Sequence, residues 1–185
     1  KPDLVATNLA GNQVTNFVKQ YSEFGLPFAV AGFNLNTADA WGAGEGNLGG
    51  YWPTVWHHEL KTPGTQAFVA AFQKKYDRRP ENHAWIEYVS MKIMAQAIGA
   101  TKGTDTDKLI AYLESEAQFD LLKARKGYFR SWDHQLMQEA YPFTVKAKGQ
   151  AKDKQDFLLF GDAVPGANQP LDVLAPPKSE SACKM

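Results

Sequence analysis

An α/β fold with parallel strands flanked by helices is what this sequence predicts, and three observations predict it. Two short apolar runs, Asp3–Thr7 and Phe28–Ala31, enclose a stretch whose apolar residues recur at helical spacing. A crossover of that length joins parallel strands, because antiparallel neighbours need only a tight turn. Further along, long helical patterns beginning near Thr62 and Glu81 precede a group of short β-rich runs.

The first helix carries Val14, Phe17, Val18, Tyr21 and Phe24 on one stripe, with Asn12 as the expected cap and Gly25 as the left-handed stop. Asn8–Asn12 and Phe33–Asn36 follow the carboxyl ends of the two strands. Ligands bind at that rim in open parallel sheets, so the rim is the expected site. A glycine-rich loop over residues 41–50 comes next, and then Tyr51–Trp56, which reads as extended, with Pro53 marking an edge. Thr62-Pro63 starts a helix with Phe68, Val69, Phe72 and Tyr76 as its stripe, ended by Arg79-Pro80. The helix from Glu81 to Ile98 is apolar over a wide arc that includes Trp85, Ile86, Tyr88, Val89, Met91, Ile93 and Met94, so it must be covered on several sides. A third helix is capped by Asp105 or Thr106. Gly127–Trp132 and Ala140–Lys148 read as a strand pair across Asp133-His134-Gln135, Phe157–Phe160 as a further strand, and residues 164–185 as an irregular tail.

The 185 residues are 44% hydrophobic and 22% charged, with zero formal net charge, which fits an ordinary globular chain. Balanced charge without a basic cluster argues against nucleic acid as a partner. No apolar run reaches the roughly 20 residues that span a bilayer. The chain starts Lys1-Pro2 rather than with Met, so the start reads as processed or cut. The single cysteine, Cys183, lies in the polar tail and is expected to be an exposed thiol.

Residues 44–49, GEGNLG, match the letters of a dinucleotide fingerprint. That motif must follow a strand and open a helix, and here it precedes an aromatic extended run, so a surface loop is expected and no cofactor. His57 and His58, adjacent on an extended segment, point to opposite faces, and no metal site is expected. Trp41, Trp52 and Trp56 read as packing residues or as ligand-lining ones. No nucleophile elbow, P-loop or zinc-protease motif is present, and the carboxylates at Asp105, Asp107, Glu114 and Glu116 read as caps and solvated charge. The expectation is therefore a binding protein and not an enzyme.

Three stretches in order resemble the C-terminal half of the branched-chain amino acid type of periplasmic solute-binding protein, the type I fold that serves ABC importers. They are DLVATNLAGNQVTNFVKQYSEFGL with FAVAGF, TPGTQAFVAAFQKKYDRRPENHAWIEYVSMKIMAQAI, and KGYFRSWDHQLMQEAYPFTV. The resemblance covers nearly all of the chain. It implies that residues 1–52 are the second part of the ligand-closing lobe and residues 53–120 helices of the other lobe. Residues 121–163 would then be returning strands of the first lobe, and 164–185 the tail. It implies an extracytoplasmic solute-binding component of an ABC importer that captures a small carboxylate-type ligand (an aromatic acid, an amide or a branched-chain amino acid-like solute) by hinge closure. It also implies ABC permease subunits as partners and a periplasmic location. A sensing module of the same fold, or a nucleotide-dependent enzyme resting on GEGNLG alone, are the alternatives.

The family's chains are longer. Two broad apolar helices without a sheet of their own imply that the missing N-terminal half is itself a partner. Where amino acid binders of the family place an aromatic side chain, after the first strand, this chain has Asn8, Leu9 and Ala10. Where they place a carboxylate against the ligand's ammonium, it has Phe33 and Asn34, which implies a neutral or anionic ligand such as an aromatic carboxylate. Asn34 also reads as a plain turn residue. His83 matches a pocket-mouth position and equally reads as a surface histidine near a helix start.

Overall fold

The computed structural model describes residues 2–33 and 35–183. In chain order the first elements are β1 (Leu4–Thr7), α1 (Asn12–Glu23), β2 (Ala29–Gly32), α2 (Thr37–Ala43) and β3 (Trp52–Thr54). Three helices follow: α3 (Pro63–Tyr76), α4 (Asn82–Thr101) and α5 (Thr106–Leu113). The last strands are β4 (Tyr128–Phe129), β5 (Leu136–Met137), β6 (Tyr141–Val145) and β7 (Leu158–Phe160), before a 3₁₀ turn at Lys178–Glu180. The chain forms two compact units: Lys1–His57 with Ala140–Val164, and His58–Glu139 with Pro165–Met185. It therefore passes between them three times. Among the described residues no helix is long and apolar enough to cross a membrane.

In the first unit β1 and β2 are parallel, from Leu4↔Ala29 to Thr7↔Gly32, as the crossover demands. β3, β6 and β7 form an antiparallel sheet through Trp52↔Phe143 and Phe143↔Phe160. The two patches join where Tyr51 donates its N–H to Val30 (2.9 Å) and accepts from Gly32 (3.4 Å). Glycine is required on both sides of this join. A Cβ on Gly50, whose φ is +85°, would lie 1.9 Å from the Val30 oxygen, and one on Gly32 would lie 2.3 Å from the Trp52 ring. Val14 and Val18 of α1 pack into a core with Val30, Leu35, Trp52, Phe143 and Leu158. Phe24 falls at the helix end and is 77% exposed, so the expected stripe stops at Tyr21. The Ala140–Lys148 run does not pair with Gly127–Trp132. β4 pairs with β5 across the Asp133 turn, while β6 lies between β3 and β7. The turn is closed by Arg130, whose guanidinium bonds both Asp133 and Gln135, and that short hairpin leaves β6 free to pair elsewhere.

In the second unit α3 begins as expected: Pro63 stands at its first turn and Thr62 caps it by accepting from the Thr65 N–H (3.3 Å). α4 buries Trp85, Val89, Ile93 and Ala97, four residues apart, and the Trp85 indole donates to the Leu121 carbonyl (2.9 Å). Its opposite side leaves Tyr88, Met91, Met94 and Ile98 exposed, Met91 by 70%. Through Phe68 on Tyr88 (4.8 Å between ring centres) this face continues onto Phe72 and Tyr76 of α3. The tail is irregular, and it is held by side chains of the unit's interior. Arg125 donates to the carbonyls of Pro165 and Gln169, and Arg130 to that of Pro176.

Candidate functional site

Thr7 and Gly32 form the last pair of the parallel ladder, so the segments that follow leave from the same rim. After β1, Asn8 and Ala10 are exposed and Leu9 is half-buried, its N–H bonded to the Thr7 hydroxyl (3.3 Å). Gly11 then takes φ +56° and becomes the helix cap, so Asn12 is the first helical residue and not the cap expected of it. Glycine is the residue that adopts this backbone without strain. Because glycine has no side chain, the cap residue makes no side-chain bond to the first N–H groups of α1; the Gln13 N–H bonds the Ala10 carbonyl (3.2 Å), and no acidic residue occupies the first turn. These N–H groups carry the partial positive charge of the helix end at the rim.

After β2, Phe33 is 70% exposed, while Leu35 turns into the core and is 2% exposed. Asn34 lies outside the described residues. Segments 7–13 and 32–37 contain no charged residue. The nearest carboxylate along the chain, Asp39, is bonded by the Asn36 side chain (3.2 Å) at the start of α2. The rim thus offers backbone donors, an aromatic face and neutral side chains. The two segments themselves carry no charge, and Asp39 stands beside Asn36.

Asn8, Leu9, Ala10 and Phe33 share this rim of the first unit. His83 belongs to the second unit, where it is exposed at the start of α4 and its ring lies 3.4 Å from the Glu81 carboxylate. Glu81 accepts from the N–H groups of His83 (2.7 Å) and Ala84 (3.0 Å), so this local pattern is that of a helix cap. Trp52 and Trp56 are buried and Trp41 packs against the core, which is the packing fate open to them in the sequence. His57 stacks on Phe160 (4.0 Å between centres, 7° between planes). Among the described residues no three histidine, cysteine or carboxylate side chains gather into a metal-binding group. Cys183 is exposed.

Residues 44–49 open no helix. Gly44 ends α2 and the loop runs on to β3, as the flanking residues predict. Part of that loop walls a cleft of about 700 Å³ with Tyr21, Ser22, Phe28 and Val145. The cleft lies at the amino end of β2, away from Phe33, and no charged side chain lines it. The feature least visible in the sequence was the uncapped amino end of α1. The order Gly11-Asn12 carried the signal, and Asn12 drew attention away from the glycine.

In open α/β sheets ligands bind beyond the carboxyl ends of the strands, where this rim lies. The chain belongs to the periplasmic binding protein family, whose model matches residues 1–150. It superposes on an amino acid ABC transporter substrate-binding protein from Pseudomonas fluorescens with a TM-score of 0.80 at 23% identity, covering 100% of this chain and 48% of that one. A branched-chain amino acid ABC transporter ligand-binding protein from Burkholderia xenovorans gives 0.70 at 25% identity, over 87% and 43% of the two chains. An ABC transporter solute-binding protein from Rhodopseudomonas palustris, solved with benzoate, gives 0.69 at 18%, over 88% and 43%. The chain thus spans about half the length of these structures. No curated protein sequence matches it. The expected kinship with the branched-chain amino acid type, and the type I fold over about half of such a chain, are borne out.

Proposed function

We propose that the protein is part of an extracytoplasmic solute-binding component of an ABC importer, and that it captures a small carboxylate-type solute at the rim after β1 and β2. The observation that carries this reading is an uncharged rim where the α1 amino end lacks a side-chain cap and Phe33 stands 70% exposed. The solute's carboxylate would meet the α1 N–H groups, an attraction of about 0.3–1 kcal/mol at an exposed helix end and more when enclosed. Its apolar part would lie on Phe33, beside Leu9 and Ala10. Asn34 and His83 complete the proposed set, His83 from the other lobe once the lobes close on the ligand. Binding and release suffice for this role, with no bond made or broken, and the captured solute passes to the permease.

The second part of the reading concerns the apolar face of α3 and α4. Tyr76 (51% exposed), Tyr88 (46%), Met91 (70%), Met94 (38%) and Ile98 (38%) lie open to water on a chain half as long as its structural relatives. We infer that the N-terminal half of the same protein covers them, since each large apolar side chain gains about 1.5–3 kcal/mol on burial.

Thermal unfolding with added benzoate and with added leucine tests the ligand reading. Benzoate is expected to raise the midpoint more than leucine, and Phe33→Ala to reduce the benzoate shift. A shift with leucine alone overturns the preference for a solute without an ammonium, and no shift with either solute at millimolar concentration overturns solute capture by this rim.

A further inference from the structure

We propose that Arg125 and Lys123, both bonded to Glu139, form a partly buried clamp that fixes the ends of two crossover segments in the second unit, which makes both positioning residues. The chain leaves this unit after Glu139 and returns to it at Pro165. Glu139 is 2% exposed, and its carboxylate accepts from Arg125 Nε at 2.9 Å. The other two nitrogens of the same guanidinium donate to the backbone carbonyls of Gln169 (2.7 Å) and Pro165. One planar fork therefore holds the departing segment by a side chain and the returning segment by its main chain. Lys123 grips the departing segment a second time, its ammonium donating to Gln138 Oε1 (2.7 Å) and to the Glu139 carbonyl (2.6 Å) while lying 4.8 Å from the centre of the Trp85 ring.

Packing alone does not call for such an arrangement. Buried charges are costly, and apolar residues of similar volume often replace them without loss of stability. What the charged groups add is direction, because an arginine fork bonds acceptors in one plane and one geometry. The bonds to Gln138, Glu139 and Pro165 end at or next to a crossover, and the bond to Gln169 ends four residues beyond one. Just beyond the boundary, Ala140 and Val164 exchange two backbone hydrogen bonds, both 2.8 Å, so the two segments leave as a paired ribbon. Within the second unit the clamp thus holds the departing and the returning segment at the points where they cross. The clamp stands on the second unit's own geometry, and the Ala140–Val164 pair on that of the first. Only its consequence, that lobe closure turns the chain beyond Ala140 and Val164, rests on the solute-capture reading.

Amide hydrogen exchange on the purified protein, without added solute, tests the clamp. Arg125→Met keeps the aliphatic stem and removes the fork. It is expected to speed exchange at the Ala140 and Val164 amides at least tenfold, with Thr144 and Val145 in β6 changed less than twofold. Arg125→Lys, which keeps the charge and loses the planar fork, should fall between. Lys92→Met, which removes an exposed ion pair with Asp120 in the same unit, should leave Ala140 and Val164 unchanged. Should Arg125→Met not fold, Glu139→Gln gives the same comparison, since it removes the central charge at constant volume. Exchange at Ala140 and Val164 within twofold of the parent overturns the proposal, and so does a rise shared equally by β6.

Discussion

Replacing Lys123 with methionine removes a buried ammonium while keeping most of the side chain's volume, and it should change how stability depends on pH. Lys123 is 7% exposed. Its burial holds the ammonium pKa down at about 7, against the opposing pull of the Glu139 carboxylate. In the unfolded chain the same group titrates near 10.4. Between those two values the unfolded chain binds more protons than the folded one, so stability rises as pH rises through this window. Each pH unit is worth at most about 1.4 kcal/mol, and between pH 7 and pH 9 the two-site expression yields about 2 kcal/mol. Below pH 7 both states carry the proton and the contribution flattens at its least favourable level. Lys123→Met leaves Glu139 bonded to Arg125 and has nothing to titrate here. Urea unfolding at pH steps from 6 to 9.5, followed by tryptophan fluorescence, measures both proteins. The gap between parent and variant is expected to move by about 2 kcal/mol in the parent's favour from pH 7 to pH 9. Curves that stay parallel within about 0.5 kcal/mol over that range would refute a neutral-range titration of Lys123.

Three further substitutions have distinct expected outcomes. Gly50→Ala places a methyl group 1.9 Å from the Val30 oxygen at φ +85° and should cost about 3 kcal/mol or more, read as a lowered urea midpoint. An unchanged midpoint would mean that Tyr51 does not join the two sheet patches. Thr62→Ala removes the cap of α3 and a hydroxyl bond to the Leu122 carbonyl, and it should cost about 1–2 kcal/mol in the same assay, with Thr62→Ser recovering most of it. Phe33→Ala should leave the unfolding midpoint within about 0.5 kcal/mol of the parent, because the ring is exposed, yet weaken benzoate binding by about 0.5–1.5 kcal/mol. A large loss of stability would assign Phe33 to packing instead.

The opening unit was legible because its signals are local. Val14 and Val18 fall on one helical stripe between two apolar runs, and a parallel crossover is the arrangement that joins them. Thr62-Pro63 and Asp105 announced their helices for the same reason, since a cap acts within three residues of itself. α2 was not legible. Its seven residues show no stripe, include Gly42, and become helical through the burial of Thr37, Ala40 and Ala43. The partners of β6 were missed because β3 lies about ninety residues earlier in the chain, and period-two alternation does not name a partner across such a distance. At the rim, the position of the site followed from strand order, while its donors depended on Gly11 rather than Asn12 ending the turn.

By itself the sequence determined the alternation of strands and helices, the rim after the first two strands, its lack of charge and the surplus of apolar surface on α4. All of these depend on residue type and short-range spacing. Only the tertiary structure decided which charges are buried. Nothing in the spacing around Lys123, Arg125 and Arg130 marks them as interior. Lys123 and Arg130 become interior and Arg125 half-buried because the folded chain brings carbonyls, Glu139 and Asp133 to meet them. A charge enters a protein interior only where partners converge on it, and that convergence is a property of the folded chain and not of any window along it.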